Sequence, residues 1–470
     1  MGLSFFNTLS RSVQEFKPLD PAGKKVGMYC CGPTVYDFAH IGNWRTFVFG
    51  DLVRRYLTFR GYNVNHVMNI TDVEDKIIRR VRETKTTLRE FTGKYETAFF
   101  DDMKALGCHL PNVTPRATEY IAEIITLIEK LIARGIAYKA NDGSVYFSIE
   151  KYRGCGCNYG QLQKLNFDEM RVGERVSSDE YEKESVADFA LWKAYVPDDG
   201  EVTWDSPWGK GRPGWHIECS AMSMKVLGES FDLHLGGEDL KFPHHEDEIA
   251  QSEGATGRPF VKYWLHGAFL LVEGKKMSKS LGNFFTLRDL LAKGFTGREV
   301  RYLLLSAHYR GTFNFTLDGL TGARASLARI DECISKLREM AATAGTPPSG
   351  GSTQLIADFT AALDADLNIS AAWAAIFDWV SDTNKRIAGK TLTPADAATL
   401  LATWDQINSV LGIEAVAGAE APAEIVALLE ARQAARKAKD FKRSDQIRDE
   451  LKAKGWVVED SPKGPKLKKL

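Results

Sequence analysis

The feature that most constrains this chain of 470 residues is a glycine-containing turn between a short apolar strand and an amphipathic helix. Residues 25–29 are partly apolar and predict a buried parallel strand. From Ile41 to Arg60 the apolar residues recur with the spacing of one helix face. The turn between them, Tyr29-Cys-Cys-Gly-Pro-Thr-Val-Tyr-Asp-Phe-Ala-His-Ile-Gly-Asn43, therefore follows the carboxyl end of a strand, where open α/β sheets bind ligands.

The start of the predicted helix favours an anionic ligand in this turn. Free backbone N–H groups and a partial positive charge point out of a helix N-terminus, and phosphate suits such a site. A lone His40 would more often be a capping or loop residue than a phosphate ligand. A second predicted strand, Asn63–Thr71, completes a right-handed βαβ unit, so the sequence predicts an α/β sheet domain.

Composition indicates a soluble protein of several domains. Hydrophobic residues make up 44% and charged residues 26%, and no apolar run reaches the ~18–20 residues that span a bilayer. Met1–Lys17 lacks the basic segment and apolar core of a signal peptide. Seven cysteines argue against a disulfide framework and for a reducing compartment. We expect a cytoplasmic monomer that does not bind membranes.

Charge is unevenly distributed along the chain. Residues 424–470 carry 13 Lys and Arg against 8 Asp and Glu, although the net charge of the whole chain is −1. A basic end is typical of polyanion binding, but a solvated pair of charged helices would show the same excess.

Breaks in the pattern predict six regions. They are 1–110, the first half of the sheet domain; 111–210, a connective insertion; 211–274, the second half; 275–345, a lysine-rich loop with the helices after it; 353–412, a helical domain; and 424–470, a small C-terminal module. Thr346–Ser352 and Ala415–Pro422 read as linkers. Residues 151–211 look irregular, and Cys155 and Cys157 within them are poorly spaced for chelation.

Several side chains suit a metal ion. His244 and Glu248 are four residues apart on a predicted helix and therefore share a face. Together with Cys219 and Cys31 they would form a donor set that suits Zn²⁺. Spacing does not single this set out, because Cys30, His234 and His245 compete for the same role. The pattern also differs from the His-Glu-x-x-His of zinc proteases.

Two separated motifs resemble the paired signature of class I aminoacyl-tRNA synthetases. They are His40-Ile-Gly-Asn43 and Lys275-Lys-Met-Ser-Lys-Ser280. The fourth position of the first motif is often His in that class and is Asn43 here; both side chains can donate a hydrogen bond to a phosphate oxygen.

Four blocks resemble cysteinyl-tRNA synthetases more narrowly, and this similarity runs nearly end to end. They are Met28-Tyr-Cys-Cys-Gly-Pro-Thr-Val-Tyr-Asp37, Asn69-Ile-Thr-Asp-Val-Glu-Asp-Lys76, Gly211-Arg-Pro-Gly-Trp-His-Ile-Glu-Cys-Ser-Ala-Met222 and Phe242-Pro-His-His-Glu-Asp-Glu-Ile-Ala-Gln251. The resemblance implies a Rossmann-like class I catalytic domain with an insertion, then an α-helical domain and a small anticodon-binding module.

The resemblance also implies roles for individual residues. Cys31, Cys219, His244 and Glu248 would hold one zinc ion, leaving Cys30 a minor alternative. His40 and Asn43 would contact the phosphates of ATP, and Lys276 and Lys279 would hold the leaving pyrophosphate. Asp239 would bind the ribose, with Gly236 and Gly237 allowing close approach of the backbone. Trp215, Thr71, His234 and Gly32 would form the cysteine pocket.

The implied reaction is activation of L-cysteine by ATP with Mg²⁺, followed by transfer to the terminal adenosine of tRNA(Cys). Zinc would select the substrate as a thiolate, because apolar shape alone discriminates weakly, by ~1–3 kcal/mol per group. Trp456 and nearby arginines are candidates for contacts to anticodon bases. Two alternatives remain at this point: the related ligase that joins cysteine to an amino sugar, which lacks the tRNA-reading tail, and a non-catalytic RNA-binding paralogue.

Overall fold

The computed structural model describes residues 2–163, 188–278, 281–342, 354–414, 423–461 and 464–469. The chain forms two compact units, Met1–Ile413 and Glu414–Leu470. Both predicted linkers fall on segments outside the described residues. None of the helices in the described ranges has the length and apolar character that a membrane crossing requires.

The first unit mixes strands and helices. Its strands are β1 (Ser4–Asn7), β2 (Ser12–Glu15), β3 (Lys25–Cys30), β4 (Asn63–Met68), β5 (Ala137–Lys139), β6 (Val145–Phe147), β7 (Phe189–Ala194), β8 (Gly211–Pro213), β9 (Phe231–Gly237), β10 (Val261–Gly267), β11 (Leu270–Val272), β12 (Lys275–Lys276) and β13 (Phe313–Phe315). Its helices are α1 (Ile41–Phe59), α2 (Asp75–Thr84), α3 (Leu88–Ala105), α4 (Ile121–Ala133), α5 (Ile149–Gly154), α6 (Trp215–Leu227), α7 (Glu246–Thr256), α8 (Leu287–Ala292), α9 (Gly297–Leu304), α10 (Leu317–Ala341), α11 (Gln354–Asp364), α12 (Ile369–Ala388) and α13 (Pro394–Leu411).

A parallel sheet of four strands, in the order β10-β9-β3-β4, organises this unit. The predicted βαβ unit is confirmed, since β3 pairs in parallel with β4 and α1 connects them. The chain leaves the sheet after β4 and returns as β9 on the other side of β3. A crevice therefore opens beyond the carboxyl ends of β3 and β9, which is the ligand-binding position in sheets of this topology.

Helix α1 packs on the sheet through the apolar face seen in the sequence. Val48, Leu52 and Tyr56 on this face are buried, and Trp44 stacks on Phe99 of α3 with 5.1 Å between ring centroids. Full burial of each large apolar side chain contributes ~1.5–3 kcal/mol, so this face fixes the position of α1 and of the turn before it.

A buried carboxylate ties α1 to two other helices. Asp51 accepts hydrogen bonds from Arg301 Nη2 at 2.6 Å, Arg55 Nε at 2.7 Å and the His109 amide at 2.8 Å. Arg301, fully buried on α9, also donates through Nε to the Leu411 carbonyl at 2.6 Å. Burial alone would raise the pKa of Asp51, but Arg301, Arg55 and the amide outweigh it and lower the pKa. The cluster thus links α1 to α9 and to the end of α13.

The insertion contributes to a second sheet, and strands β7 and β8 of this sheet correct the expectation that residues 151–211 are irregular. Strands β5, β6, β7 and β8 form an antiparallel sheet in that order. Strand β7 is buried along nearly its whole length, and Phe189 stacks on Phe147 with 4.8 Å between ring centroids. Alternating polarity could not reveal it, because a strand covered on both faces reads as a continuous apolar run. Residues 164–187 lie outside the described residues.

The second unit is a helical hairpin followed by a two-stranded sheet. Its elements are α14 (Ala423–Lys437), α15 (Phe441–Ala453), β14 (Trp456–Ser461) and β15 (Gly464–Lys469), and the strands pair antiparallel. The predicted hairpin is confirmed. The assignment of Trp456 to base contacts is wrong, because Trp456 is buried with Ile447 and Leu451 in the core of this unit. By contrast, Phe441 at the start of α15 is 64% exposed.

Candidate functional site

The site begins where β3 and β4 end side by side. The Gly32 amide donates to Asn69 Oδ1 at 2.8 Å, and a Cβ at Gly32 would lie 1.6 Å from the Asn69 carbonyl oxygen. Only glycine permits this approach. Thr71, 2% exposed, follows β4 and receives a hydrogen bond from Asn69 Nδ2 at 3.1 Å. The predicted pocket residues Gly32 and Thr71 therefore flank one crevice.

Four predicted metal ligands converge beside this crevice. Cys31 follows β3, Cys219 lies on α6, His244 precedes α7 and Glu248 lies in the first turn of α7. All four are buried, and their ligand atoms lie within 4.8 Å of one another. Cys30 is excluded from the group because successive strand residues face opposite sides: its sulfur packs near Gly50 of α1.

The distances suit a tetrahedral zinc ion. Two sulfur ligands of such an ion lie ~3.8 Å apart, a sulfur and an oxygen ~3.6 Å apart, and a nitrogen and an oxygen ~3.4 Å apart. The Cys31 and Cys219 sulfur atoms are separated by 3.9 Å, and Cys31 Sγ lies 3.6 Å from Glu248 Oε1. His244 Nε2 lies 3.1 Å from the same oxygen. The donor set of two sulfurs, one nitrogen and one oxygen also matches the preference of zinc.

A second grouping of Cys31, His234, His245 and Glu248 is also compact. Its separations are those of hydrogen bonds: 2.9 Å between His234 Nε2 and Glu248 Oε2, and 3.3 Å between His245 Nε2 and Cys31 Sγ. A nitrogen and an oxygen on one zinc ion would lie ~3.4 Å apart, so the distance between His234 Nε2 and Glu248 Oε2 is too short by about 0.5 Å. The set that contains Cys219 therefore fits an ion better, and His234 and His245 support its members.

The cluster is strongly polarised. A hydrogen bond from the Cys31 thiol is the main reason that the pKa of Cys219 falls to about 6, which favours its thiolate form. Burial would raise the pKa of Glu248, but His234 and His244 outweigh it and lower the pKa to about 2. Burial likewise opposes the charge on His244, yet hydrogen bonds with Cys219 and Glu248 raise its pKa to about 10. These shifts favour anionic forms of Cys219 and Glu248 and a cationic His244, whose proton a bound metal ion would replace.

Three further histidines surround the ligands and were not assigned these roles from the sequence. His216 Nδ1 lies 2.9 Å from His244 Nδ1. His245 Nδ1 hydrogen-bonds with His266 Nε2 at 2.8 Å, and His266 Nδ1 with Thr8 Oγ1 at 2.8 Å. Burial lowers the pKa of His245 and His266 well below its ordinary value. In the sequence, His216 and His245 are adjacent to the candidate site residues Trp215 and His244. Adjacency along the chain does not indicate which side chains a histidine will contact.

Two predicted pocket residues contact the ligands directly. Trp215, at the start of α6 and 38% exposed, stacks on the His244 ring with 4.4 Å between centroids. It is placed to wall a pocket beside the ligands. His234 is fully buried behind Glu248, where its Nε2 holds the carboxylate. This position gives His234 a supporting role, and its predicted contact with the substrate stays a prediction.

The first signature motif forms a reciprocal cap at the start of α1. His40 Nδ1 accepts from the Asn43 amide at 3.2 Å, and Asn43 Oδ1 accepts from the His40 amide at 3.1 Å. Because Nδ1 is the acceptor, a neutral His40 carries its proton on Nε2. The Asn43 side chain uses its oxygen in the cap and keeps its Nδ2 group as a donor. Both residues therefore present N–H donors at a helix N-terminus.

The lysine-rich loop lies against this turn. A Cβ at Gly42 would be 3.4 Å from Met277 Cε, and the Ile41 amide donates to the Phe285 carbonyl at 2.9 Å. The described part of the second signature motif, residues 275–278, thus lies beside the first motif although more than 200 residues separate the two. Lys276 is exposed on β12. Lys279 lies outside the described residues, so its predicted role stays a prediction.

The predicted ribose-binding segment follows β9. Asp239 is exposed in a short turn after Gly237, beyond the carboxyl edge of the sheet. A Cβ at Gly236 would lie 2.4 Å from the His245 ring, and one at Gly237 would lie 2.3 Å from the Asp239 carboxylate. Packing against the buried His245 ring therefore already favours glycine at position 236, whereas the exposed Asp239 side chain could move away from a side chain at position 237. The predicted approach of both glycines to a nucleotide stays a prediction.

Three family models match the chain. Residues 16–325 match the class I (C) tRNA synthetase catalytic domain, 358–415 match the DALR domain, and 419–465 match the cysteinyl-tRNA ligase anticodon binding domain. Together these matches span both compact units.

Curated relatives and solved structures agree with the family models. A cysteine–tRNA ligase from Chlamydia muridarum is 48% identical over 100% of both chains, and one from Protochlamydia amoebophila is 45% identical over 99% of this chain and 98% of its own. A methionyl-tRNA synthetase from Mycobacterium tuberculosis has a TM-score of 0.57 at 16% identity and covers 83% of this chain and 90% of that one. At that identity the structural likeness speaks for the fold alone.

Proposed function

We propose that this chain, which belongs to the cysteine–tRNA ligase family of class I aminoacyl-tRNA synthetases, selects its amino acid through a zinc ion held by Cys31, Cys219, His244 and Glu248. The chain is a ligase, and the reaction has two steps. L-Cysteine and ATP form cysteinyl-adenylate and pyrophosphate, and the cysteinyl group then passes to the 3′ terminal adenosine of tRNA(Cys).

The observation that carries the zinc proposal is the geometry of the buried donors. A separation of 3.9 Å between the two cysteine sulfurs, with Glu248 Oε1 3.6 Å from one of them, leaves room for one ion bound by all members. Hydrogen bonds from surrounding histidines hold the donors in place, as in zinc sites generally. The hydrogen bond from the Cys31 thiol lowers the pKa of Cys219, which favours the thiolate, the form that binds metal.

Selection of cysteine over serine follows from this arrangement. Zinc, when bound, supplies a soft Lewis acid that accepts a substrate sulfur as a thiolate far better than a hydroxyl. Trp215 covers one side of the pocket by stacking on His244, so that bulkier amino acids are excluded. Thr71 and Gly32 place polar groups at the adjoining strand ends, within the crevice that would receive the amino and carboxyl groups of the substrate.

Activation takes place at the start of α1. The substrate carboxylate attacks the α-phosphate of ATP, and the protein aligns the reactants and stabilises the charge that develops on the leaving pyrophosphate. His40 Nε2–H and Asn43 Nδ2–H donate to phosphate oxygens, with the N-terminus of α1 behind them. Lys276 and Lys279 approach from the lysine-rich loop, and Mg²⁺ accompanies the nucleotide. Asp239 accepts hydrogen bonds from the ribose hydroxyls.

The second unit binds the anticodon of the tRNA. Its assignment rests on the match of residues 419–465 to the cysteinyl-tRNA ligase anticodon model. Phe441, with 64% of its surface exposed at the N-terminus of α15, is available to stack on an unpaired base. Lys442 and Arg443 beside it are exposed and attract phosphates. The match to this model also argues against the ligase that transfers cysteine to an amino sugar.

ATP–pyrophosphate exchange with each of the twenty amino acids, on protein with measured zinc content, tests the proposal. We expect exchange with cysteine alone, about one zinc per chain by elemental analysis, and cysteinylation when tRNA(Cys) is added. Cysteine-dependent exchange at full rate in protein stripped of zinc would refute the role of the metal. Cysteine-dependent exchange without transfer to tRNA would refute the assignment of the acceptor.

A further inference from the structure

A segment of the insertion is bound to the start of the metal-binding helix. The Glu246 carboxylate, 1% exposed, accepts three backbone amides: those of Gly160 at 2.6 Å and Gln161 at 2.9 Å on Oε1, and that of Leu162 at 2.9 Å on Oε2. Gly160 has a φ of +100°, a conformation open to glycine, which turns this run of amides toward the carboxylate. Glu246 lies between the proposed ligands His244 and Glu248 in sequence, so this clamp holds the segment that carries both of them.

The residue before this run reaches the same helix with its side chain. The Tyr159 hydroxyl donates to Asp247 Oδ1, and the two residues are 3% and 1% exposed. The other oxygen, Asp247 Oδ2, lies 3.5 Å from His216 Nε2. His216 Nδ1 in turn lies 2.9 Å from His244 Nδ1. A chain of four side chains, of which Tyr159, Asp247 and His244 are buried and His216 is 15% exposed, therefore runs from the insertion to a proposed zinc ligand.

One assignment of protons is consistent with the contacts of this chain. If His244 binds the metal through Nε2, its Nδ1–H donates to His216 Nδ1, and His216 then carries its own proton on Nε2. That nitrogen faces Asp247 Oδ2 at 3.5 Å, a polar contact longer than a normal hydrogen bond. Tyr159 satisfies the remaining oxygen of that carboxylate. In a metal site, the group that accepts a hydrogen bond from the other ring nitrogen of a ligand histidine fixes the tautomer and orientation of the ring and raises the basicity of the ligand nitrogen. In many zinc sites a carboxylate contacts the ligand histidine directly; here His216 stands between them.

We propose that Tyr159 is a positioning residue for the metal centre, acting through Asp247 and His216 on the orientation of His244. The inference rests on the proposed zinc site and adds a structural consequence: the insertion determines how firmly the metal is held. When the Tyr159 hydroxyl is removed, Asp247 loses a buried hydrogen-bond donor and can turn away from His216. The His244 ring is then free to rotate. Glu246 acts in the same direction by holding the backbone that presents Tyr159.

Tyr159→Phe tests this role, with Tyr138→Phe as the matched control. Tyr138 also donates to a carboxylate within the insertion, Asp188 Oδ2 at 3.0 Å, but the other oxygen of that carboxylate accepts the Ile149 amide at 3.1 Å rather than a histidine beside the ligands. We expect Tyr159→Phe to release zinc to a chromogenic chelator about tenfold faster than the wild type, the lower end of the effect of lost outer partners at metal sites. The KM for cysteine should rise several-fold and the KM for ATP should not change. Tyr138→Phe should match the wild type in all three measurements.

A second variant guards against misinterpretation of the first. Glu246→Gln keeps one acceptor oxygen and replaces the other with a donor, so it should also speed zinc release. If the wild-type protein binds zinc and Tyr159→Phe releases it at the wild-type rate, the inference is overturned and the proposed function stays intact. An equal acceleration in Tyr138→Phe would also overturn the inference, because it would indicate general loosening of the insertion. Wild-type protein that takes up no zinc would instead refute the proposed function.

Discussion

Replacing Asn43 with aspartate would separate the two tasks that the structure gives this side chain. An aspartate oxygen can still accept the His40 amide, so the cap at the start of α1 is preserved. The substitution replaces the Nδ2 group of Asn43, a hydrogen-bond donor, with a second carboxylate oxygen, which can only accept. A negative charge in the first turn also favours the helix by ~0.3–1 kcal/mol. The variant should therefore fold at least as stably as the wild type.

Its activity should fall steeply. Loss of one positioned donor to developing charge costs ~2.7–4 kcal/mol, or about 10²–10³ in rate. In addition, a carboxylate ~5 Å from one phosphate charge is repelled by ~0.8 kcal/mol in water and ~3 kcal/mol at the effective dielectric near a protein surface. Asn43 is exposed, so the lower value applies more closely. We expect kcat/KM for ATP in pyrophosphate exchange to fall roughly 400- to 3,000-fold.

Two companion variants make this experiment decisive. Asn43→Ala removes both the cap and the donor, so it should lose activity and also ~0.5–1 kcal/mol of stability. Asn43→His restores the residue common at this signature position and should retain most of the exchange rate. Thermal denaturation measures stability and ATP–pyrophosphate exchange measures activation. Exchange by the Asn43→Asp variant at a near-wild-type rate would refute the assignment of Asn43 as a phosphate donor.

Three further predictions address the metal, the core and the tRNA. Cys219→Ser should lower zinc content and raise the KM for cysteine at least tenfold; undiminished zinc by elemental analysis would remove Cys219 from the ligand set. Asp51→Asn should lower the unfolding free energy by ~3–5 kcal/mol, because Arg301 is left buried without its carboxylate. The pKa of Asp51 is lowered in the folded protein, so its stabilisation is fully present above the unfolded value of ~3.9 and is lost as the pH falls through the folded pKa. Denaturant titrations of the wild type and Asp51→Asn should therefore give free energies of unfolding that converge in acid. A difference that does not depend on pH would contradict this account. Phe441→Ala should raise the KM for tRNA about tenfold and leave pyrophosphate exchange unchanged, as one stacked base is worth ~1–3 kcal/mol; an unchanged KM would exclude stacking.

Local sequence pattern sufficed for the centre of the fold. The strand before Cys31, the helix after His40 and the strand from Asn63 were all predicted, because each carries its own period and its own boundary residues. Strand alternation also explains which of two adjacent cysteines joins the cluster, since Cys30 and Cys31 must face opposite sides of the sheet.

Tertiary contacts account for what the pattern did not predict. Strand β7 is covered on both faces and so shows no alternation. Trp456 was a candidate for RNA contact because aromatic rings stack on unpaired bases, yet it lies in the core of the second unit. The roles of His216, His245 and His266 depend on partners far away in sequence, which spacing along one chain does not encode. The resemblance to cysteinyl-tRNA synthetases implied the four proposed zinc ligands, whereas the hydrogen bonds between these ligands and the surrounding histidines were found only in the structure.

The order of the strands has a consequence for assembly. Cys31 follows β3, whereas Cys219 and Glu248 come after the insertion, so a bound ion closes a loop of 188 residues between its first two ligands. Loop-closure entropy grows only slowly with length, so a long insertion costs the site little once it has folded. An N-terminal piece released early in synthesis contains a single cysteine of the set and cannot capture the metal. Zinc uptake would therefore mark the moment at which the two halves of the sheet come together, and the free energy of binding would then oppose their separation.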